Sequence, residues 1–542
     1  MNIDTQTIAY SPFEPIPDYA PLFINSMISG GLQAFEFTGW RDETISWKET
    51  CYLHAGLNAT HTLKIKGADT FKFLHRICVN SFEKFPIGSI KQGVMCNSKG
   101  LVTDTGVILR IGEDEVISYW MMSMLSAFNS GVYGKYEIEI ENLTGKVFLL
   151  QIAGPTSINT LESATGQSLR ELKFLRSMDA VIADKPVKIY RLGMAGTLAY
   201  EAHGALEDAL DVYNAIYEAG IPFGIRRLGN RSYPMNHSEN GFPQTMVHFF
   251  PASVDYDEAN IALQLPVYGS LSDNVDNFFH NPYELGWGKV VKFDHDFVGR
   301  EALEKIAAEN KRILVSLEWN VEDIADVFAS QFRDEVPFKY IESPRDPDTW
   351  FGGVSHDMVV NEKGEMIGMS FGRQNSAYFH CMISICCLDV DYAQPGSEIM
   401  VVWGEPGARQ KKIRAKVARY PYNNILRNEN TDVTLLPITE QNKRDGDLSL
   451  EGRYNVIVNT PMGKQDGSFD YKVDDGVLTG TATAMGATTT IENGEVDGDN
   501  FSHTIIMNKM KIKVSGIFDG NIIKGEFKLP IGKAKFFGTR VK

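Results

Sequence analysis

The run VFLLQIAG (147–154), apolar but for Gln151, and VKIYRLG (187–193), with its period-two elements, read as strands. Over 206–219 the period lengthens. Leu206, Ala209, Leu210, Tyr213, Ile216 and Tyr217 recur at spacings of three and four, which predicts a helix with one buried face, and Gly220 stands where it should end. A second helix over about 300–310 runs straight into RILVSLEW (312–319), where the period returns to two. A domain boundary is expected there. Residues 1–310 therefore read as α+β, without a regular βαβ succession.

From 311 to 430 the pattern is strand-rich, with CMISICCLDV (381–390), EIMVVWG (398–404) and RAKVARYPY (414–422), and fits a β-barrel or sandwich module. Residues 431–449 are mostly polar and hold no periodic segment, as expected of a linker. Residues 450–542 alternate in short runs separated by turn dipeptides at Asp475-Gly476, Asn493-Gly494, Asp497-Gly498 and Asp519-Gly520. This predicts an antiparallel up-and-down β domain of about eight strands, calycin-like in architecture, with no legible function.

The chain of 542 residues is too long for one hydrophobic core, and its 43% hydrophobic and 23% charged residues suit a globular protein of about three domains. A net charge of -16 with no dense basic stripe argues against nucleic acid as a partner. Six scattered cysteines (Cys51, Cys78, Cys96, Cys381, Cys386, Cys387) form no CxxC pair or His-rich companion, so no metal site is expected. The acidic, proline-containing N-terminus lacks signal-peptide character and no apolar run reaches membrane-spanning length. A cytoplasmic setting with free thiols is the expectation.

Candidate chemistry lies in ordered motifs. NSKGLVTDTGVILR (97–110), GMAGTLAYEAHG (193–204) and NPYELGWGKVVKFDHDFVGREALEKI (281–306) together resemble the aminomethyltransferase family of the glycine-cleavage T protein. WRDETISWKETCYLHAGLN (40–58), YPMNHSENGFPQ (233–244) and VVWGEPGARQKKIRAKVARYPY (401–422) are similar to the branch of that family that demethylates aromatic methyl ethers such as vanillate and syringate. The resemblance implies a T-protein-like folate-binding fold, tetrahydrofolate as methyl acceptor and a small methoxyaromatic substrate. Residues from 450 onward lie outside it.

Each residue has a functional and a structural reading. Glu201 matches the carboxylate that reads the donor edge of a pterin, and needs a donor partner if buried; the alternative is a surface glutamate at a strand end. Gln151 resembles a second pterin contact, or is satisfied by backbone. Phe242 could stack on folate or anchor a core. Asp104 aligns with the family's acidic position near the folate nitrogens, though the frequent Asp-Asp pair is here Asp104-Thr105.

Breaking an aryl ether leaves a phenolate, which needs a proton donor or cation beside it. Tyr233 is the candidate donor, or a packed tyrosine. Arg110 could clamp a substrate carboxylate or stabilise the phenolate, or form a surface ion pair. His54 could hydrogen-bond a phenol hydroxyl, or be a structural histidine. His237 and Glu239 read as loop-capping residues. The first functional expectation is methyl transfer from a methoxylated aromatic acid to N5 of tetrahydrofolate. Transfer from an aliphatic amine or sulfonium donor, or a non-catalytic folate-binding assembly factor, are the alternatives.

Overall fold

The computed structural model describes residues 10–15, 22–26, 31–193, 196–257, 264–345, 353–437 and 450–541, the last without 461–462, 475, 485, 498–499, 508–509, 520–521 and 530–531. Most of the expected linker, and three of the four turn dipeptides in part, lie outside the described residues. The chain divides into two compact units. One comprises residues 1–160, 169–218 and 224–434, and the other 161–168, 219–223 and 435–542.

In the first unit, a six-stranded sheet runs in the order Ser177–Ile182, Lys185–Tyr190, Ala199–Ala205, Val147–Ala153, Tyr52–His54, Arg226–Arg227. A five-stranded sheet runs Ile90–Cys96, Val102–Gly112, Glu115–Tyr119, Thr62–Lys66, Glu139–Asn142. A third, seven-stranded sheet includes Arg312–Trp319, Val354–Val360, Met366–Ser376, Cys381–Asp389, Glu398–Trp403 and Lys411–Ala418, and the pairing of Val354–Val360 with Glu398–Trp403 rolls it into a barrel. The buried set Leu317, Trp319, Val401, Trp403, Ile413 and Cys386 fills its interior, as inward alternation requires.

The expected helix is Ala209–Gly220, preceded by a short 3-10 turn at Leu206–Asp208. Its buried face is rotated from the expected one: Leu210 is 41% exposed, and Val212 is buried with Ala209, Tyr213 and Ile216. The second helix is Arg300–Glu309.

The second unit contains a closed barrel of eight sequentially paired antiparallel strands, Gly452–Thr460 to Gly532–Arg540. Inward-facing Tyr454, Phe469, Tyr471, Phe501, His503, Phe527 and Phe536 form its core. Asn493-Gly494 is no turn. It lies inside the strand Ala487–Asp497, where Asn493 adopts φ 49° and the register slips between Glu492 and Glu495, so the left-handed residue makes a bulge. Among the described residues no helix is long and apolar enough to cross a membrane.

Candidate active site

The six-stranded sheet gathers most of the candidate chemistry. Its antiparallel register sets Tyr190 opposite Glu201, Glu201 opposite Gln151, and Gln151 opposite His54. One row of side chains therefore crosses four strands on one face, at about 5 Å per strand. Glu201 is only 4% exposed, a depth at which an unpaired carboxylate is costly.

Two donors meet it. Gln151 Nε2 donates to Glu201 Oε1 at 3.4 Å, and His203 Nε2 donates to Oε2 at 3.0 Å. Gln151 is itself oriented, because its Oε1 accepts from the Tyr52 hydroxyl at 2.6 Å, which in turn accepts from Asn236 Nδ2 at 2.7 Å. A carboxylate only accepts, so each bond in this chain has one direction. The Tyr190 ring stacks on His203 at 4.1 Å and the Tyr119 ring meets it edge-on at 4.7 Å.

Tyr233 opens the helix Tyr233–Asn240, which has Pro234 in its first turn and ends at Gly241 with φ 73°, both placed as helix termini favour. Its ring lies flat on His54, 4.1 Å between centroids and 5° between planes, and His237 touches its edge at 5.2 Å. Burial, then the Glu201 charge, pushes the Tyr233 hydroxyl well above the ordinary phenol range, so at neutral pH it is a donor. His54 Nδ1 donates to Leu228 O at 2.8 Å, and burial pushes its pKa down to about 4. His237 is neutral for the same reason, its pKa pushed down to about 4 by burial and its Nδ1 facing Phe242 O at 3.1 Å. Gly56 makes the His54 position possible, since a Cβ there would collide with the imidazole and with Asn230 Oδ1.

Glu201, Gln151, His54 and Tyr233 are thus brought together. Phe242 is partly buried and packs on Trp287 at 5.5 Å, with its ring 6.1 Å from that of His237. Asp104 sits apart in the five-stranded sheet, 5% exposed, accepting from Ser123 N at 2.5 Å and Thr105 N at 2.9 Å. Burial pushes its pKa up to about 7. Arg110 does not join the cluster, contrary to expectation. Its guanidinium donates to the carbonyls of Gly112 at 2.9 Å, Phe85 at 2.7 Å and Glu113 at 2.6 Å, with the Phe71 ring 4.6 Å away. The strand end and turn therefore use its donors structurally.

The residues missed from sequence are His203, Tyr52 and Asn236. Strand alternation carried a signal for the first two, each two positions from a named candidate on the same face. Glu239, expected to cap a loop, is a wholly buried helical residue.

Residues 33–257 match the model of the GCVT N-terminal domain. The chain is 38% identical over 434 residues to the sesamin methylene transferase of Sinomonas sp. (strain No.22), covering 76% of this chain and 94% of that one. The chain belongs to the glycine-cleavage T-protein family of tetrahydrofolate-dependent transferases. It is 30% identical over 421 residues to syringate O-demethylase of Sphingobium sp. (strain NBRC 103272 / SYK-6), covering 72% and 90% of the two chains. The glycine cleavage system aminomethyltransferase T from Bartonella henselae shares the T-protein fold, with a TM-score of 0.52 at 15% identity over 74% of this chain and 94% of that one. The present chain is a tetrahydrofolate-dependent methyltransferase with an α+β body, a β-barrel module and a C-terminal β-barrel.

Proposed function

We propose that the chain moves a one-carbon unit from an aryl ether to N5 of tetrahydrofolate, leaving a phenol. The observation that carries this reading is the buried cluster in which Tyr233, an oriented hydroxyl donor, stands with Glu201 and Gln151. The bound folate supplies the nucleophilic nitrogen. Glu201, its two oxygens already held by Gln151 and His203, keeps lone pairs for the donor edge of the pterin. That spare, buried acceptor capacity is why the residues present fit the group. Gln151, pinned by Tyr52, holds the carboxylate in place, and Phe242 offers a ring to stack against.

Tyr233 would donate a hydrogen bond to the departing oxygen. Its raised pKa keeps it protonated, so it stabilises the departing phenolate by a hydrogen bond, and the proton that N5 releases balances the one the phenolate takes up to become a phenol. His54, neutral and with no hydrogen-bond partner for Nε2 among the described residues, would accept from a phenolic hydroxyl. Asp104, in the neighbouring sheet with its carboxyl held by Ser123 N and Thr105 N, is proposed to lie near the folate nitrogens, as the family resemblance implies. Positioning supplies the larger share of the barrier reduction.

Two donor classes follow. A methoxylated aromatic acid would give 5-methyltetrahydrofolate. A methylenedioxyarene is favoured by the 38% identity to a sesamin methylene transferase. Incubation with tetrahydrofolate and one donor of each class, with mass-spectrometric detection of the folate product, separates the two.

A further inference from the structure

The helix that carries Tyr233 and His237 is tied at its far end by a buried ion pair that the reaction does not use. The side chains of Lys48 and Glu239 are wholly buried, and Lys48 Nζ pairs with Glu239 Oε2. The same oxygen accepts from Trp47 Nε1 at 2.7 Å, and Oε1 accepts from Ser376 Oγ at 2.7 Å. Lys48 Nζ also donates to Thr44 O at 2.8 Å and lies 4.0 Å over the Trp47 ring. Three elements distant in sequence, the helices Trp40–Glu49 and Tyr233–Asn240 and the strand Met366–Ser376, thus converge on one carboxylate. From the same strand, Gln374 Nε2 donates to Met235 O at 2.9 Å.

A buried ion pair rarely repays its desolvation in stability, and its best-attested use is to impose one arrangement. We infer that Glu239, held by Lys48, is a positioning residue that sets the roll of this helix and so keeps Tyr233 stacked on His54. The inference rests on the reading of Tyr233 as the group that faces the leaving oxygen. Glu239 is six residues from Tyr233, about 240° around the helix, so the carboxylate anchors the side turned away from the ring. A tyrosine hydroxyl stands ~9 Å from the helix axis, and a roll of ~10° would displace it by ~1.5 Å. A displacement of that size costs about a hundredfold in rate.

The test uses the full chain with Glu239→Gln, Lys48→Met, both together, Tyr233→Phe, and Glu239→Gln combined with Tyr233→Phe. Single-turnover rates at saturating tetrahydrofolate, folate affinity by calorimetry and thermal unfolding are measured. Each single change at the ion pair should lower the rate about a hundredfold while folate affinity stays within about threefold. The paired neutral variant should return to within about tenfold of wild type, because no charge is left buried alone. In the Tyr233→Phe background, Glu239→Gln should add less than about threefold, the non-additivity expected of residues acting as a unit. Additive losses in that background, or wild-type rates in folded single variants, would overturn the inference. If neither single variant folds, Ser376→Ala keeps the ion pair and removes the bond to Glu239, along with the one that Ser376 Oγ accepts from Phe379 N. It should cost about tenfold only when Tyr233 is present, and an unchanged rate overturns the inference equally. Wild-type turnover in Tyr233→Phe alone would overturn the role of Tyr233, and this inference with it.

Discussion

Replacing Glu201 by Gln tests the pterin contact with little collateral damage to the fold. The amide can face its neighbours without a clash. Its oxygen can accept from Gln151 Nε2, and its NH2 can donate to His203 once the imidazole proton moves to Nδ1, an atom with no partner among the described residues. The folded state should therefore tolerate the change, with Tm lowered by no more than about 5 °C. Folate would lose more. A carboxylate accepting from the pterin edge makes charge-assisted bonds of about 2 kcal/mol, so the dissociation constant should rise about thirtyfold. Calorimetry with tetrahydrofolate, alongside thermal unfolding of the same samples, measures both quantities. An unchanged dissociation constant would remove Glu201 from the pterin site. A large fall in Tm with unchanged folate affinity would make the row of Glu201, Gln151 and His203 purely structural.

Tyr233→Phe keeps the stack on His54 and removes one oxygen, so turnover of an aryl ether should fall by about a hundredfold with folate affinity unchanged; single-turnover rates within about threefold of wild type would defeat the donor role. An aliphatic sulfonium donor, whose leaving group departs neutral, should lose little in the same variant, as rate comparison on the two donors would show. The Asp104 carboxyl has a folded pKa raised from 3.8 to about 7 by burial, so its contribution favours the folded state below pH 3.8 and is lost as the pH rises through 7. Between pH 6 and 8 that loss is about 1 kcal/mol, and Asp104→Asn should flatten the matching part of the stability profile in pH-dependent unfolding; an unaltered slope would mean the group stays ionised. A chain ending near Arg444 should keep folate affinity and turnover, since every functional candidate precedes residue 430. A folded truncation that binds no folate would show that the proposed division of labour is wrong.

The elements were legible wherever period and length agreed. The strands Val147–Ala153, Arg312–Trp319 and Cys381–Asp389 and the helix Arg300–Glu309 fall where alternation and spacing put them. What sequence lacks is register. Nothing local reveals that Glu201, Gln151 and His54 form one row, because strand pairing joins segments far apart in the chain. His203 was within reach of the two-residue period. The placement of Arg110 was not, since the carbonyls that bind it come from a turn and from Phe85, 25 residues away. Asn493-Gly494 misled for a related reason: the dipeptide reports a left-handed backbone, which serves a bulge as well as a hairpin turn. Leu210 was placed inside by spacing, but the buried face is centred on Ala209, Val212, Tyr213 and Ile216.

Delivery of an aryl ether carbon to tetrahydrofolate can be followed by incubating the purified chain with tetrahydrofolate and a panel of methoxybenzoates and methylenedioxybenzenes under reducing, oxygen-free conditions. Both products are followed by mass spectrometry, with the ether carbon isotopically labelled. Label should pass to 5-methyltetrahydrofolate or 5,10-methylenetetrahydrofolate in step with release of the matching phenol or catechol, and Tyr233→Phe should slow both together. Release of phenol without labelled folate, or labelled folate from an aliphatic amine and from no aryl ether, would contradict this transfer.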